Sequence, residues 1–309
     1  MVYNIETTNA CNMKCKMCPR TTMMTRKVET MEPWVFEKVV SQMRPHLKGE
    51  WDKWKIYVQQ RYGISEWGMS ENHYFLYVIP DIIQLHGYGD PLLDLNMGYY
   101  VKMLSERGFR SYFSCNPANM NLDRTIEMFE NGLTYIKFSI ESVYDDRHKA
   151  LRGEKSDFSS SYEKILGLLR IKTAMELKTV IVITMLDLDQ PDQWKQYLEL
   201  QRLFAGKDVY VYLKSQDTQW LTKEYHGTNS IHWTEPCKHP WMSMTIKSNG
   251  DAAMCMEDYN NDIVLGNVKD ESLYSIWNGK KYDDLRRGHL ELTEKRCMEK
   301  CDMTLMGGL

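Results

Sequence analysis

The sequence predicts an α/β protein: a partial (β/α)6 barrel of the TIM-like kind, followed by a small unit built from a hairpin and short helices. Over the first 214 residues, six short strand-like runs alternate with helical patterns. Such alternation favours parallel strands with right-handed crossovers, and six units are too few to close an eight-stranded barrel. The alternation stops near residue 215, and four of the eight cysteines follow. We therefore predict two domains, residues 1–214 and 215–309.

The predicted strands share short length and a β-branched or aromatic composition. They cover residues 2–8, 82–86, 110–115, 135–141, 179–185 and 208–214. The helices between them are predicted from residue 33 to Pro45 and at 96–106, 123–130, 159–175 and 191–204. In parallel sheets the carboxyl ends of the strands carry the site. The residues that end these strands are therefore the candidates for chemistry.

Two other stretches complete the organisation. Residues 49–79 form an aromatic-rich insertion, which is either a small satellite core or a lid over the substrate. Beyond residue 215, Asn249-Gly250 predicts a hairpin turn between two short strands. Two short helices are predicted at 272–277 and 282–289.

Composition excludes several classes of protein. A net charge of −3 leaves no electrostatic footprint for nucleic acid. No apolar run reaches the ~18 residues that a transmembrane helix needs, so no membrane partner is expected. The N-terminus lacks the layout of a signal peptide, so we expect a cytoplasmic protein. In a reducing compartment, cysteines more often bind metals or do chemistry than form disulfides.

Three cysteines, Cys11, Cys15 and Cys18, follow the first predicted strand at spacings of four and three. Three thiols so close cannot all form disulfides, but thiolates at this spacing can converge on one soft metal centre. On a four-iron cluster they would leave one iron without a protein ligand. Zinc is the alternative, although it requires a fourth protein ligand nearby.

The Cys-x3-Cys-x2-Cys arrangement after a first strand resembles the signature of the radical S-adenosylmethionine (SAM) enzymes. The resemblance implies that the three thiolates hold a [4Fe-4S] cluster whose open iron chelates SAM. In that family an electron from the cluster cleaves SAM, and the resulting 5′-deoxyadenosyl radical takes a hydrogen atom from the substrate. One departure is Met17, which stands where many members have an aromatic residue before the third cysteine.

Three further stretches resemble SAM-contacting motifs of the same family. They are Gly-Tyr-Gly-Asp-Pro at 87–91, Ser-Ile-Glu-Ser at 139–142 and Ala-Leu-Arg-Gly at 150–153. By this resemblance the SAM-binding residues are Gly89, Asp90, Ser139, Glu141 and Arg152. Asp90 replaces the family's glutamate, and the Arg152 guanidinium is suited to binding the SAM carboxylate.

The C-terminal cysteines resemble a SPASM domain in its shorter "twitch" form. Cys237 and Cys255 flank the predicted hairpin, and Cys297 and Cys301 close the region. Four thiolates would complete a second, auxiliary [4Fe-4S] cluster, which leaves electron transfer as its natural role. A structural zinc is the alternative, because four cysteines alone do not distinguish the two.

Two residues at strand ends stay open to a role in catalysis. Cys115 ends the third strand and is either a small buried hydrophobe or a thiol that returns a hydrogen atom to a substrate radical. Lys214 ends the sixth strand and is either a solvated lysine or a substrate contact or base.

The resemblance implies a radical SAM oxidoreductase or epimerase acting on a small polar metabolite. The nearest layouts are those of the inosamine dehydrogenases and aminoglycoside epimerases. The alternative is modification of a ribosomally made peptide, by a thioether, a carbon–carbon link or a D-residue. We expect this less, because the chain begins at its first strand without a preceding peptide-binding domain. A non-catalytic iron–sulfur protein is a third hypothesis. An external one-electron reductant such as flavodoxin or ferredoxin is expected as a partner.

Overall fold

The computed structural model describes residues 2–45, 82–214 and 239–301, together with isolated positions between 47 and 60. The first region contains six parallel strands: β1 (Val2–Ile5), β2 (Ile82–Gln84), β3 (Arg110–Cys115), β4 (Tyr135–Ser139), β5 (Val180–Leu186) and β6 (Tyr210–Lys214). Each strand pairs with the next in sequence, so their order in the sheet runs β6-β5-β4-β3-β2-β1. The predicted partial barrel of six parallel strands is confirmed.

Helices connect these strands on one side of the sheet. They are α1 (Pro19–Thr22), α2 (Pro33–Ser41), α3 (Met97–Glu106), α4 (Leu122–Glu130), α5 (Asp145–Arg152), α6 (Phe158–Ala174) and α7 (Gln193–Phe204). None of the helices in the described ranges is both long and apolar enough to cross a bilayer.

The C-terminal region adds strands to the free side of β1. It contains α8 (His239–Met242), β7 (Met244–Ile246), β8 (Asp251–Ala253), β9 (Val264–Asn267), α9 (Leu273–Trp277), α10 (Lys280–Leu290) and α11 (Lys295–Met298). Strand β7 pairs in parallel with β1, and β8 and β9 follow antiparallel, which gives one open sheet of nine strands. The predicted hairpin turn is present: Gly250 has φ +90°, and its N–H donates to Lys247 O at 2.8 Å.

The two faces of the sheet bury different residues. A large apolar core lies between the helices and one face and includes Phe113 and Phe138. A separate small apolar cluster contains only strand residues: Ile82, Tyr112, Tyr135 and Val182, with Val180 and Tyr212 packed against it. Because side chains alternate between faces along a strand, this cluster marks the barrel interior.

Five of these elements were not predicted from the sequence: the short helices α1, α8 and α11, helix α5 and strand β9. Helix α5 buries only His148, so its sequence has almost no apolar periodicity. Strand β9 is four residues long and contains a glycine, which weakens the strand signal. The insertion at 49–79 and the connection at 216–235 lie almost entirely outside the described residues, and the boundary at 214/215 stays a prediction.

Candidate functional site

The loop after β1 carries Cys11, Cys15 and Cys18 and is anchored by Asn9. The Asn9 side chain accepts from Glu29 N at 2.7 Å and donates to a backbone carbonyl of the same segment at 2.9 Å. Cys15 is buried, whereas Cys11 and Cys18 are half-buried. Asn9 thus fixes the backbone of a loop whose three cysteines are buried or half-buried.

The three thiols influence one another electrostatically. Burial is the main cause that raises the pKa of Cys11 and of Cys18, and the nearby Cys15 adds to both shifts; the pKa of Cys18 is raised to about 11. Iron binding requires thiolates, and a metal's own charge supplies the stabilisation that burial removes. Within the described ranges, no three His, Cys, Asp or Glu side chains are grouped so as to hold a single metal ion. The cysteines of a four-iron cluster bind different irons and need not converge on one ion.

The C-terminal end of α5 supports the cysteine loop from one side. The carbonyl of Arg152 accepts from Lys14 N at 3.1 Å, and its Nη1 lies 3.7 Å from the Cys15 sulfur. Gly153 follows with φ +102°, and a Cβ there would lie 2.9 Å from Lys14 N. Only glycine allows the helix end to approach the loop this closely.

The loop after β2 packs on the other side of the cysteine loop. The N–H of Asp90 donates to Ala10 O at 2.8 Å. A Cβ at Gly89 would overlap the carbonyl of Thr8. The glycine motif at 87–91, which predicts SAM binding, therefore packs its backbone against the cysteine loop. Gly89 has no room there for a side chain.

The Asp90 carboxylate is used inside the protein. It is buried and accepts from Leu92 N at 3.1 Å, Asn116 N at 3.2 Å and Asn119 Nδ2 at 2.7 Å. Burial raises the pKa of Asp90, while these three donors oppose the rise. The side chain thus joins the loops after β2 and β3, so a contact of Asp90 with SAM would come from its backbone. That contact stays a prediction.

Glu141 and Arg152 form a buried ion pair beside Cys15. Glu141 also accepts from Leu186 N at 2.7 Å, which ties the pair to the end of β5. Burial by itself would lower the pKa of Arg152, but Glu141 and Cys15 raise it above its ordinary value, so the guanidinium stays charged. Its buried Nε has no hydrogen-bond partner among the described residues. An unused donor next to the cysteine loop fits the predicted SAM carboxylate.

Ser139 is the last residue of β4 and is buried, paired in register with Thr184 of β5. It lies on the same face as Tyr135 by strand alternation, which is the face of the barrel interior. Ser139 is thus placed at the carboxyl end of the sheet, as predicted for a SAM contact.

Cys115 lies on the opposite face. It is 6% exposed, belongs to the large apolar core and donates its thiol toward Lys137 O at 3.7 Å. Burial raises the pKa of Cys115 well above its ordinary value. This placement favours the structural interpretation over the hydrogen-atom donor, although the donor role stays a prediction.

Lys214 ends β6 and is half-buried, in register with Leu186. Its ammonium lies close enough to His86 to help lower the pKa of that ring. Because His86 directly precedes the glycine loop after β2, Lys214 faces the space between that loop and the sixth strand. The predicted substrate contact therefore has a suitable position, and its role stays a prediction.

Sequence reasoning missed a polar lining above the interior cluster. Tyr112 donates to the Gln84 side chain, and His86 Nδ1 accepts from Ser114 N at 3.1 Å. Burial lowers the pKa of His86 well below its ordinary value, and Lys137 lowers it further, so the ring is neutral. The signal was available in the strands: polar residues recur at alternate positions, as in Tyr-x-Lys-x-Ser at 135–139.

The three C-terminal cysteines that the structure describes are each buried. Cys255, Cys297 and Cys301 are 6%, 2% and 6% exposed. Cys255 accepts an N–H from Glu257 at 3.4 Å, the kind of contact that cluster sulfurs receive. Cys237, the fourth predicted ligand, lies outside the described residues.

The fold and the cysteine loop are those expected of an iron–sulfur protein that binds SAM, and comparison with family models identifies the family. Residues 5–201 match the radical SAM superfamily, and residues 237–303 match SPASM, an iron–sulfur cluster-binding domain. The chain therefore belongs to the radical SAM superfamily and carries a SPASM domain, with [4Fe-4S] clusters and SAM as its cofactors. No curated protein sequence matches the chain.

Several solved structures have a similar fold. BtrN in complex with AdoMet and 2-DOIA has a TM-score of 0.58 at 17% identity, covering 97% of this chain and 92% of that one. Native anSMEcpe with bound AdoMet has a TM-score of 0.58 at 12% identity, covering 97% and 88%. SuiB from Streptococcus suis has a TM-score of 0.57 at 13% identity, covering 92% and 67%. At these identities the similarity establishes the fold alone.

Proposed function

We propose that this radical SAM protein abstracts hydrogen from a small polar substrate of the sugar or aminocyclitol type, as an oxidoreductase or epimerase. The observation that carries the proposal is the polar lining of the barrel interior. Above the apolar cluster, neighbouring strands present Gln84, Ser114, Lys137 and Lys214 toward the same end of the sheet. Amide, hydroxyl and ammonium groups suit a ligand rich in hydroxyl and amino groups.

The cofactors have fitting residues beside this lining. Cys11, Cys15 and Cys18 would hold the first cluster, which supplies the electron that cleaves SAM when both are bound. Arg152 would bind the SAM carboxylate through its unused donor, and Gly89 allows the loop after β2 to pack closely against the cysteine loop. Gly89, Asp90, Ser139 and Glu141 are proposed SAM-binding residues on the same edge of the sheet, with the carboxylates of Asp90 and Glu141 occupied by protein donors.

The second cluster would be held by Cys237, Cys255, Cys297 and Cys301. With four protein thiolates it has no free coordination position, so we propose electron transfer as its role. Dehydrogenation needs such an acceptor, because the substrate radical must lose one more electron and a proton. Lys214 is the proposed substrate contact or base for that proton.

The position of Cys115 supports dehydrogenation over epimerisation. An epimerase needs a hydrogen donor on the substrate side of the sheet, and Cys115 packs in the core on the helix side. A different donor would then be required for epimerisation. Peptide modification is the competing function, in line with the structural similarity to SuiB, one structure of which is bound to the precursor peptide SuiA.

The test is substrate-dependent SAM cleavage by the reconstituted protein. With SAM and a flavodoxin or dithionite reductant, a panel of aminocyclitols and sugars should stimulate 5′-deoxyadenosine formation and be consumed. In deuterated water, deuterium on the substrate carbon identifies an epimerase, and its absence there identifies a dehydrogenase. Turnover of peptides with none of the small polar compounds would contradict the proposal.

A matched pair of variants tests the lining itself. Lys214→Met should lower turnover at least tenfold while SAM binding is kept, because Lys214 lies on the interior side near His86. Lys207→Met, at an exposed position after α7, is the control and should leave turnover unchanged. Equal activity of the two variants would remove Lys214 from the proposed site.

A further inference from the structure

Tyr88 occupies an unusual position between the two cysteine regions. It lies in the glycine loop after β2, and its N–H donates to Glu6 Oε2 at 3.1 Å. Its hydroxyl reaches into the C-terminal region and donates to Glu257 Oε2 at 2.8 Å. Cys18 and Cys255 both contribute to raising the pKa of this phenol, after burial and Glu257, so both sulfurs lie near it. A single side chain therefore connects the proposed SAM loop to the proposed auxiliary-cluster loop.

The connection continues to the auxiliary sulfur itself. Glu257 N donates to Cys255 Sγ at 3.4 Å, so the residue that accepts from Tyr88 also donates to a cluster ligand. The carboxylate of Glu257 thus lies close to the position where an added electron would reside. Hydrogen bonds to cluster sulfurs and nearby charge are two of the factors that set the reduction potential of an iron–sulfur cluster.

Buried charges fix both ends of this connection. Glu6, which holds the backbone of Tyr88, receives two hydrogen bonds from Arg26 at 2.8 and 2.9 Å. Lys247 donates to Met256 O at 2.9 Å, next to Glu257, and its ammonium lies 5.8 Å from the Tyr88 ring centre. Because these contacts hold both the glycine loop and the segment around Glu257 in place, a displacement of the glycine loop is transmitted to Glu257.

We propose that Tyr88 is a positioning residue that couples SAM binding at the loop of residues 87–91 to the reduction potential of the auxiliary cluster through Glu257. The inference rests on the proposed SAM and cluster assignments. The hydrogen bond from the Tyr88 hydroxyl partly compensates the negative charge of the Glu257 carboxylate. SAM contact with the loop changes this hydrogen bond and therefore the charge felt at Cys255.

Two substitutions should move the potential in opposite directions. Tyr88→Phe removes this donor from the Glu257 carboxylate, increases the negative charge felt at the auxiliary cluster and makes the cluster harder to reduce. Glu257→Gln removes the negative charge, keeps an acceptor for Tyr88 and makes the cluster easier to reduce. For each we expect about a tenfold change in the equilibrium constant of reduction, which is about 59 mV for one electron. Tyr99→Phe is the control, because Tyr99 makes the same kind of bond to Glu37 at 2.9 Å on the surface, and should leave the potential unchanged.

The measurement is an anaerobic redox titration of the two-cluster protein followed by electron paramagnetic resonance, with and without SAM and without substrate. In the parent protein, SAM should shift the reduction potential of the auxiliary cluster. By linkage, the affinity for SAM should differ between the oxidised and reduced cluster by the same factor as the equilibrium constant of reduction changes. In the Tyr88→Phe variant this shift should disappear while SAM still binds. An unchanged potential in Tyr88→Phe and Glu257→Gln, with SAM binding intact, overturns the inference and leaves the proposed function untouched. Loss of SAM binding in the parent protein itself would instead refute the SAM site. Because no substrate is added, the result does not depend on which class of substrate the enzyme uses.

Discussion

Replacing Glu6 should destabilise the protein more than any surface charge change. Its carboxylate is fully buried, and Arg26, whose side chain is 8% exposed, donates to it twice, at 2.8 and 2.9 Å. Tyr88 N and Ser248 complete its donors. Glu6→Gln leaves the Arg26 charge buried without its partner, a change that costs about 3–5 kcal/mol. A typical domain has only about 5–15 kcal/mol of stability to lose.

The assay is urea unfolding of the reconstituted protein under anaerobic conditions. Glu29→Gln is the control, because the Lys27–Glu29 pair at 3.1 Å has side chains 82% and 29% exposed and should contribute under about 1 kcal/mol. Glu6→Gln combined with Arg26→Met should recover part of the loss, because the unpaired charge is gone. A Glu6→Gln variant within about 1 kcal/mol of the parent would refute the assignment of Glu6 as the partner of a buried charge.

The pH dependence of this difference has a defined sign. Burial alone would raise the pKa of Glu6, but Lys247, Arg26 and Tyr88 N hold it below its ordinary value of 4.5. A depressed carboxyl pKa contributes stability that is fully present above the unfolded pKa and is lost as pH falls through the folded pKa. The parent and the Glu6→Gln variant should therefore differ by a constant amount at neutral pH, and the difference should shrink below about pH 4.5.

Three substitutions and one metal analysis test the rest of the site. Gly89→Ala should abolish SAM binding measured by equilibrium dialysis, because its Cβ would overlap Thr8 O, whereas Gly167→Ala, with 3.7 Å to its nearest neighbour, should bind normally. Arg152→Lys should weaken SAM binding by about tenfold or more, since an ammonium lacks the planar fork that binds a carboxylate, and unchanged affinity would exclude Arg152 from the SAM site. Cys115→Ala should keep SAM cleavage intact; loss of epimerisation alone would restore Cys115 as the hydrogen donor, against its core placement. Metal analysis should find about eight irons per chain for two four-iron clusters, and about four with zinc would refute the auxiliary cluster.

Much of the fold was predictable because its signals are local. Strand β3 was predicted with its exact bounds, since Arg110–Cys115 is a short β-propensity run that an Asn-Pro pair stops. Helix α5 was missed because it buries a single histidine and therefore carries no apolar stripe. The pairing of β7 with β1 was also beyond reach, because nothing in either short segment specifies a partner some 240 residues away along the chain.

For the site, the motifs predicted which loops meet but not what each side chain does there. Asp90 resembles a cofactor contact in sequence, yet its carboxylate accepts from three protein donors. Cys115 ends strand β3, as predicted, but its side chain lies on the helix side of the sheet and not in the barrel interior. Adjacent residues of a strand point to opposite faces, so a shift of one residue decides between them. Tyr88 has no sequence signal at all, since its role depends on contact with Glu257 in a different region.

The position of β1 between β2 and β7 has a consequence for how the protein is made. Strand β1 leaves the ribosome before both of its partners, because β2 begins at Ile82 and β7 begins only at Met244. Chain synthesis proceeds at about 5–20 residues per second, so β1 waits for its second neighbour while the segment between Ile5 and Met244 is made. Until then one side of the strand that leads into the cysteine loop offers unpaired backbone groups, a hazard for aggregation. We therefore expect iron loading of Cys11, Cys15 and Cys18 to follow translation, and a chain truncated before residue 244 to aggregate without stable first-cluster iron.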